Sequence, residues 1–222
     1  MVESGGSINL NNTYLEGSGI SIYTAGDILN PDAYAIFRMK GGVLTDNRDW
    51  DEDGMPMFYC PNVLKAVIML DGVKVNPASR ILINTTYQNT FAGKSPVQGS
   101  SVEFNAKNEI LKGDIICDPR IDSTSGNTYY QKVIITLENH TILTGAINPN
   151  DGDGATVALS LDKSSLWNVT ADSYLTTLIA DKNKLFNIHC PKGITVYYNL
   201  EGNEWLNGKE YRLPGGGILS PF

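Results

Sequence analysis

Two stretches of this chain repeat one another at a fixed offset of 24 residues, and that offset limits what the chain can fold into. Val133, Ile135 and Leu137 alternate with other residues, Glu138 to Thr141 interrupt, and Leu143, Gly145 and Ile147 alternate again. Downstream, Val157, Leu159 and Leu161 alternate, Asp162 to Ser165 interrupt, and Trp167, Val169 and Ala171 follow. Leu137 to Leu161 and Leu143 to Trp167 are both steps of 24 residues. Alternation marks strands with one buried face. We read the two stretches as successive coils of a β-solenoid, one laid on the next. Like positions then ladder about 4.8 Å apart. Leu111, Leu143 and Trp167 are expected in one column, Gly113, Gly145 and Val169 in a second, and Ile115, Ile147 and Ala171 in a third.

The pattern extends in both directions. Ala35, Phe37 and Met39 alternate before the Gly41-Gly42 turn. Ala66, Ile68 and Leu70 precede Asp71-Gly72, and Val73 and Val75 follow. The step from Leu111 to Leu143 is longer, 32 residues, and a loop at Asp118 to Lys132 accounts for the excess. Solenoids tolerate such insertions at their corners. After Leu178, the alternating sets Phe186, Ile188, Cys190 and Ile194, Val196, Tyr198 predict a further coil. Residues 199–222, with Trp205, Tyr211, Leu213 and Gly215-Gly216-Gly217, are expected to cap it, because an open end exposes unpaired strand edges. The expectation is one all-β domain over residues 1–222, a single-stranded right-handed parallel β-helix. An antiparallel β-sandwich is the rival, and it would replace the columns with hairpins.

At this point the residues resemble a known group. The run Ser160 to Leu178, the Leu-x-Gly-x-Ile segments Leu111 to Ile115 and Leu143 to Ile147, and the Gly-rich finish are similar to bacterial right-handed parallel β-helix surface proteins. These are the adhesins, autotransporter passengers and pectin-lyase-like proteins. The resemblance covers roughly Val102 to Phe222. It implies an exported rod-like module that binds or spaces, with surface or plant-type polysaccharide as partner and calcium as the ion. Its enzymatic members are polysaccharide lyases and hydrolases, but their Asn-Thr-Asp, Gly-His-Asp and Arg-Ile-Lys signatures are missing from this sequence. Arg120, between Asp118 and Asp122, comes nearest. No catalytic residue is assigned, and a non-catalytic adhesin or carbohydrate-binding module is the leading expectation, with the lyase or hydrolase as its alternative.

Composition narrows the partners. Net charge is −7 and the sequence pI about 4.8. Nucleic acid is therefore not expected, since phosphate binding needs a basic face. No apolar run reaches the roughly 20 residues of a transmembrane helix. Met1-Val-Glu-Ser-Gly-Gly does not read as a signal peptide. A secreted or cell-surface location therefore rests on this being a processed piece of a longer exported chain. Self-association through the solenoid ends is a further expectation.

Several residues stand out as candidate sites. Asp49, Asp51 and Asp53 before Gly54 match the front half of a calcium loop, although Cys60 stands where the distal Glu would be. The alternative is a solvated acidic loop. Asn150 to Gly154 is a shorter acidic cluster, read as a turn. Trp50, Tyr129 and Tyr130 lie in polar loops, where a ring face can stack on a sugar, or fold back on the rod. Cys60, Cys117 and Cys190 each end an apolar stretch and read as buried thiols. His140 and His189 have no Cys or Ser partner in the sequence. The sequons at Asn11, Asn84, Asn139 and Asn168 matter only in a eukaryotic secretory pathway.

Overall fold

The computed structural model describes residues 1–3, 5–23, 34–47, 56–61, 63–86, 99–121, 126–150, 154–180 and 185–222. The protein is all-β and its sheets are mostly parallel. Among the described residues the one helical element is a 3-10 turn, Glu204–Leu206.

Three stacks of parallel strands share one interior. The first stack takes Ser7–Gly17, Ala35–Asp46, Ala66–Asp71, Ser101–Lys107, Lys132–Glu138, Thr156–Leu161 and Thr177–Ile179, in chain order. Its register builds long interior columns. One runs Ile8, Phe37, Ile68, Phe104, Ile135, Leu159, Leu178. All but Ile8 are buried. β-Branched and aromatic side chains suit this pleated, stacked environment.

The second stack begins on the far halves of Ser7–Gly17 and Ala35–Asp46 and on Lys74–Asn76. It resumes with Ile110–Lys112, Ile142–Thr144, Leu166–Asn168 and Ile188–His189. The third holds Val2–Glu3, Ile20–Tyr23, Phe58–Tyr59, Ile81–Asn84 and Asp114–Ile116. It passes through an Ile115–Ile147 bridge to Ser173–Leu175, Thr195–Tyr198 and Ile218–Pro221. Phe58 of this stack meets Phe37 and Phe104 of the first across the interior, at ring distances of 5.7 and 6.2 Å.

The expected columns hold with two corrections. Leu111 pairs with Leu143 and Leu143 with Trp167, each one pass apart. Trp167 is wholly buried and its indole N–H donates to Gly145 O at 2.9 Å. Gly145 can be nothing larger, because a Cβ there would meet Gly113 O at 2.2 Å. The third column slips. Ile147 N–H donates to Ser173 Oγ and its carbonyl accepts from Tyr174, while Ala171 is exposed. Two polar residues extend that corner, so the alternation restarts late. Phe186 is likewise exposed, and Leu185, at φ +48, turns inward in its place.

The corner between first and second stacks has its own column. Asn12, Gly41, Gly72, Asn108 and Asn139 each follow the last first-stack position, and each has a positive φ between +46 and +66. Gly and Asn are the residues that enter this left-handed region at least cost. At the next pass the device changes. Asp162 accepts from the backbone amides of Asn139, Ser164 and Ser165 at 2.8 to 2.9 Å. Partial burial pushes its carboxyl up, but those amides and the Ser164 and Ser165 side chains outweigh it, and it falls to about 2. Just before this corner, Lys40, Asp71, Lys107 and Glu138 stand in register on the outer face, alternating in sign. Lys40 reaches Asp71 at 3.9 Å and Lys107 reaches Glu138 at 2.9 Å.

The final residues add one more strand pair. Tyr211–Arg212 pairs antiparallel with Ile218–Pro221. The preceding turn lays two side chains along the outer edge of Thr177–Ile179. Asn203 Oδ1 accepts from Leu178 N–H at 2.7 Å, and its Nδ2 donates to Thr176 O at 3.0 Å and Asn199 O at 2.7 Å. Trp205 Nε1 donates to Leu178 O at 3.1 Å. These groups occupy the positions that a next strand's backbone would take.

Candidate binding surface

The long step between Leu111 and Leu143 is where the chain leaves the stacks. Arg120–Ile121 and Thr128–Tyr129 pair as an antiparallel ribbon, with Arg120 opposite Tyr129. The span expected as a loop, Asp118 to Lys132, thus holds a two-stranded antiparallel ribbon among its described residues. Ile121 is exposed and Tyr129 is half-exposed.

The base of this ribbon gathers residues that the sequence singled out separately. Tyr130 is 53% exposed. A Cβ built on Gly154 would lie 2.4 Å from the Tyr130 ring, so the ring rests directly on the Gly154 backbone. That residue closes the Asn150 to Gly154 acidic cluster. At the cluster's other end, Asn150 Nδ2 lies 3.1 Å from both carboxylate oxygens of Asp118, two residues before Arg120. The contact falls on the Cδ1, Cε1 and Cζ side of the ring, and the residue as a whole stays exposed. The arrangement combines aromatic surface, an amide and a carboxylate, a set that suits a polyhydroxylated ligand.

A second aromatic group went unread in the sequence. Tyr174 and Tyr197 are partners on adjacent third-stack strands, and their rings stack at 4.6 Å and 13°. Phe222 meets Tyr174 edge-on at 5.9 Å. These rings face outward and use much of their surface on one another. The signal was present: Tyr174 and Tyr197 both take outward positions of the alternating runs Ser173–Leu175 and Thr195–Tyr198.

The other candidates separate from this surface. Trp50, Asp49, Asp51 and Asp53 lie outside the described residues, as do Asp151 to Asp153. Among the described residues no group of three or more His, Cys, Asp or Glu converges as a metal site. Cys60, Cys117 and Cys190 are buried and unpaired, as expected, and burial pushes their thiols up, away from the reactive thiolate. The backbone amide of His140 is held by Ser164 Oγ at 2.9 Å, at a positive-φ corner, and His189 is exposed. Lys163 and Lys192 are exposed surface charges. No described helix is long and apolar enough to cross a membrane.

Glu109 was missed as a functional candidate. It is 1% exposed, and burial pushes its carboxyl up to about 7, with the nearby Asp71 charge adding to the rise and the Val73 and Gly72 amides pulling it back. No sequence motif marks it, because a Glu following Lys107-Asn108 reads as surface.

No family model, no curated protein and no solved structure matches the chain.

Proposed function

We propose that the chain is one right-handed parallel β-solenoid, capped by residues 199–222, and that it works as a non-catalytic carbohydrate-binding module of an exported surface protein. The solenoid reading is supported by pass-to-pass register in all three stacks and by one apolar cluster reaching from Val2 to Leu219. A helical coil of strands supplies a long rigid surface, and its corner insertions are free to vary.

One observation carries the binding reading. Arg120 pairs with Tyr129, Tyr130 packs on Gly154, and Asn150, four residues before Gly154, holds Asp118, two residues before Arg120. Aromatic surface beside fixed polar groups is how proteins hold sugars without chemistry on them. Calcium at Asp49, Asp51 and Asp53 belongs to the same proposal, as a hard cation held by closely spaced carboxylates.

A glycan-array screen with calcium and with chelator tests it. Acidic or neutral polysaccharide should be retained, and Tyr130→Ala should weaken binding by up to about tenfold, the scale of one lost aromatic contact. Circular dichroism should leave the fold of Tyr130→Ala unchanged. Absence of any bound glycan, or binding indifferent to loss of both Tyr129 and Tyr130, defeats the reading. Turnover of polygalacturonate would replace it with the lyase or hydrolase alternative.

A further inference from the structure

The second stack is interrupted at one place. Lys74–Asn76 pairs with Ala35–Asp46 on one side, and Ile110–Lys112 pairs with Ile142–Thr144 on the other, but no ladder joins Lys74–Asn76 to Ile110–Lys112. Between the same two passes the first stack is continuous through Ala66–Asp71 and Ser101–Lys107, and the third through Ile81–Asn84 and Asp114–Ile116. Among the described residues this is the one missing rung of the second stack. The gap is an open groove of about 660 Å³, lined by Lys74, Val75, Asn76, Asn108, Ile110 and Lys112.

Glu109 spans this seam. Its backbone belongs downstream: its N–H donates to Thr141 Oγ1 at 3.3 Å, and its carbonyl accepts from Ile142 N–H at 2.8 Å. Its side chain ties upstream, where Oε1 accepts from Val73 N–H at 2.8 Å. Oε2 is buried and has no hydrogen-bond partner. The carboxylate therefore stands in for the missing ladder while one of its oxygens is desolvated without return.

We propose that Glu109 is a proton-operated latch on this seam: neutral, it stays inserted against Val73, and ionised, it withdraws into the groove and opens the seam locally. The charges around it favour the neutral form. Asp71 lies on the upstream side and repels a second carboxylate. Asp71 is itself held by Lys40 at 3.9 Å and Asn108 at 3.0 Å. Lys107 is engaged with Glu138 at 2.9 Å. Lys74 and Lys112 line the groove outside and would receive the carboxylate once it swings out. Because the folded-state value is raised from 4.5 to about 7, the latch's contribution is full below about pH 4.5 and is lost as pH rises through about 7.

Amide hydrogen exchange on the whole chain, corrected for intrinsic rates, tests the proposal. The protection of Val73 N–H should fall by about tenfold or more between pH 5.5 and 8.5, while Ile135 in the first stack keeps its protection. In Glu109→Gln, which is near-isosteric and neutral, Val73 should stay protected across that range. A pH-invariant Val73 amide in the native chain, or an identical fall in Glu109→Gln, overturns the latch. Should Glu109→Gln not fold, carboxyl carbon NMR of the native chain decides. A Glu109 titration near neutrality supports the latch, and one near 4.5 sinks it.

Discussion

Replacing Asn203 by Ala should unfasten the Thr177–Ile179 edge of the first stack. Asn203 is 1% exposed and makes three hydrogen bonds to Leu178 N–H, Thr176 O and Asn199 O. Leu178 is itself only 1% exposed, so water cannot readily replace the lost acceptor. A buried donor left without a partner costs about 1–3 kcal/mol, and the two carbonyls add smaller losses, since each has a second lone pair. The Trp205 bond to Leu178 O survives. The sum is about 3 kcal/mol. With a urea slope of about 1–3 kcal/mol per molar, the midpoint should fall by about 1 M or more. Hydrogen exchange at Leu178 should report the same loss locally. Asn203→Asp sharpens the test. It keeps the acceptor for Leu178 but turns a carboxylate oxygen toward the two carbonyls, so at pH 7 it should be at least as damaging as Ala and should recover as pH falls. A loss below about 1 kcal/mol, with Leu178 protection unchanged, would mean that the edge closes without Asn203 and would refute the reasoning.

Three further outcomes follow from the interior and the corners. Trp167→Ala should cost about 3–5 kcal/mol in denaturant titration, since it empties a wholly buried aromatic site and orphans Gly145 O. Asp162→Asn should flatten the acid limb of the stability profile. In the native chain the stabilisation from this carboxylate is present above about pH 4 and is lost as pH falls through about 2, so urea midpoints between pH 2 and 5 should separate the two proteins. Gly72→Ala meets no atom within 4 Å but keeps φ +66, so it should cost about 1 kcal/mol from backbone conformation alone, and a neutral result in thermal melts would argue against a fixed left-handed corner.

Much of this architecture was legible because two passes share one length. The 24-residue step pairs Leu137 with Leu161 and Leu143 with Trp167, as read. The same step carries Tyr130 onto Gly154, and the 32-residue step carries Asp118 to Asn150, so the gathered surface could have been found by applying the offsets to polar residues as well. Earlier passes hid their period. Ile8 to Phe37 is 29 residues, Phe37 to Ile68 is 31, and Ile68 to Phe104 is 36, because segments of unequal length separate their strands, some after the third stack and one, residues 47–57, before it. Alternation also says nothing of corner width, which is why Ser173 took the place expected for Ala171. Asn203 and Trp205 bond to backbone rather than to laddered partners, so no repeat announces them. Glu109 was invisible for a different reason: its burial comes from a missing rung, and a gap leaves no pattern in the sequence.

The alternating column Lys40, Asp71, Lys107, Glu138 bears on how such a chain can change length. Removing the pass that carries Asp71 would set Lys40 against Lys107, and removing the next would set Asp71 against Glu138. Duplicating either pass would place a charge over its own copy. Like charges directly opposite on neighbouring strands are destabilising. Adding or deleting the Asp71 and Lys107 passes together restores the alternation, since after deletion Lys40 faces Glu138. In this part of the molecule, recombination that gains or loses repeats should therefore survive more readily in even steps than in odd ones, a parity rule written by a single row of surface side chains.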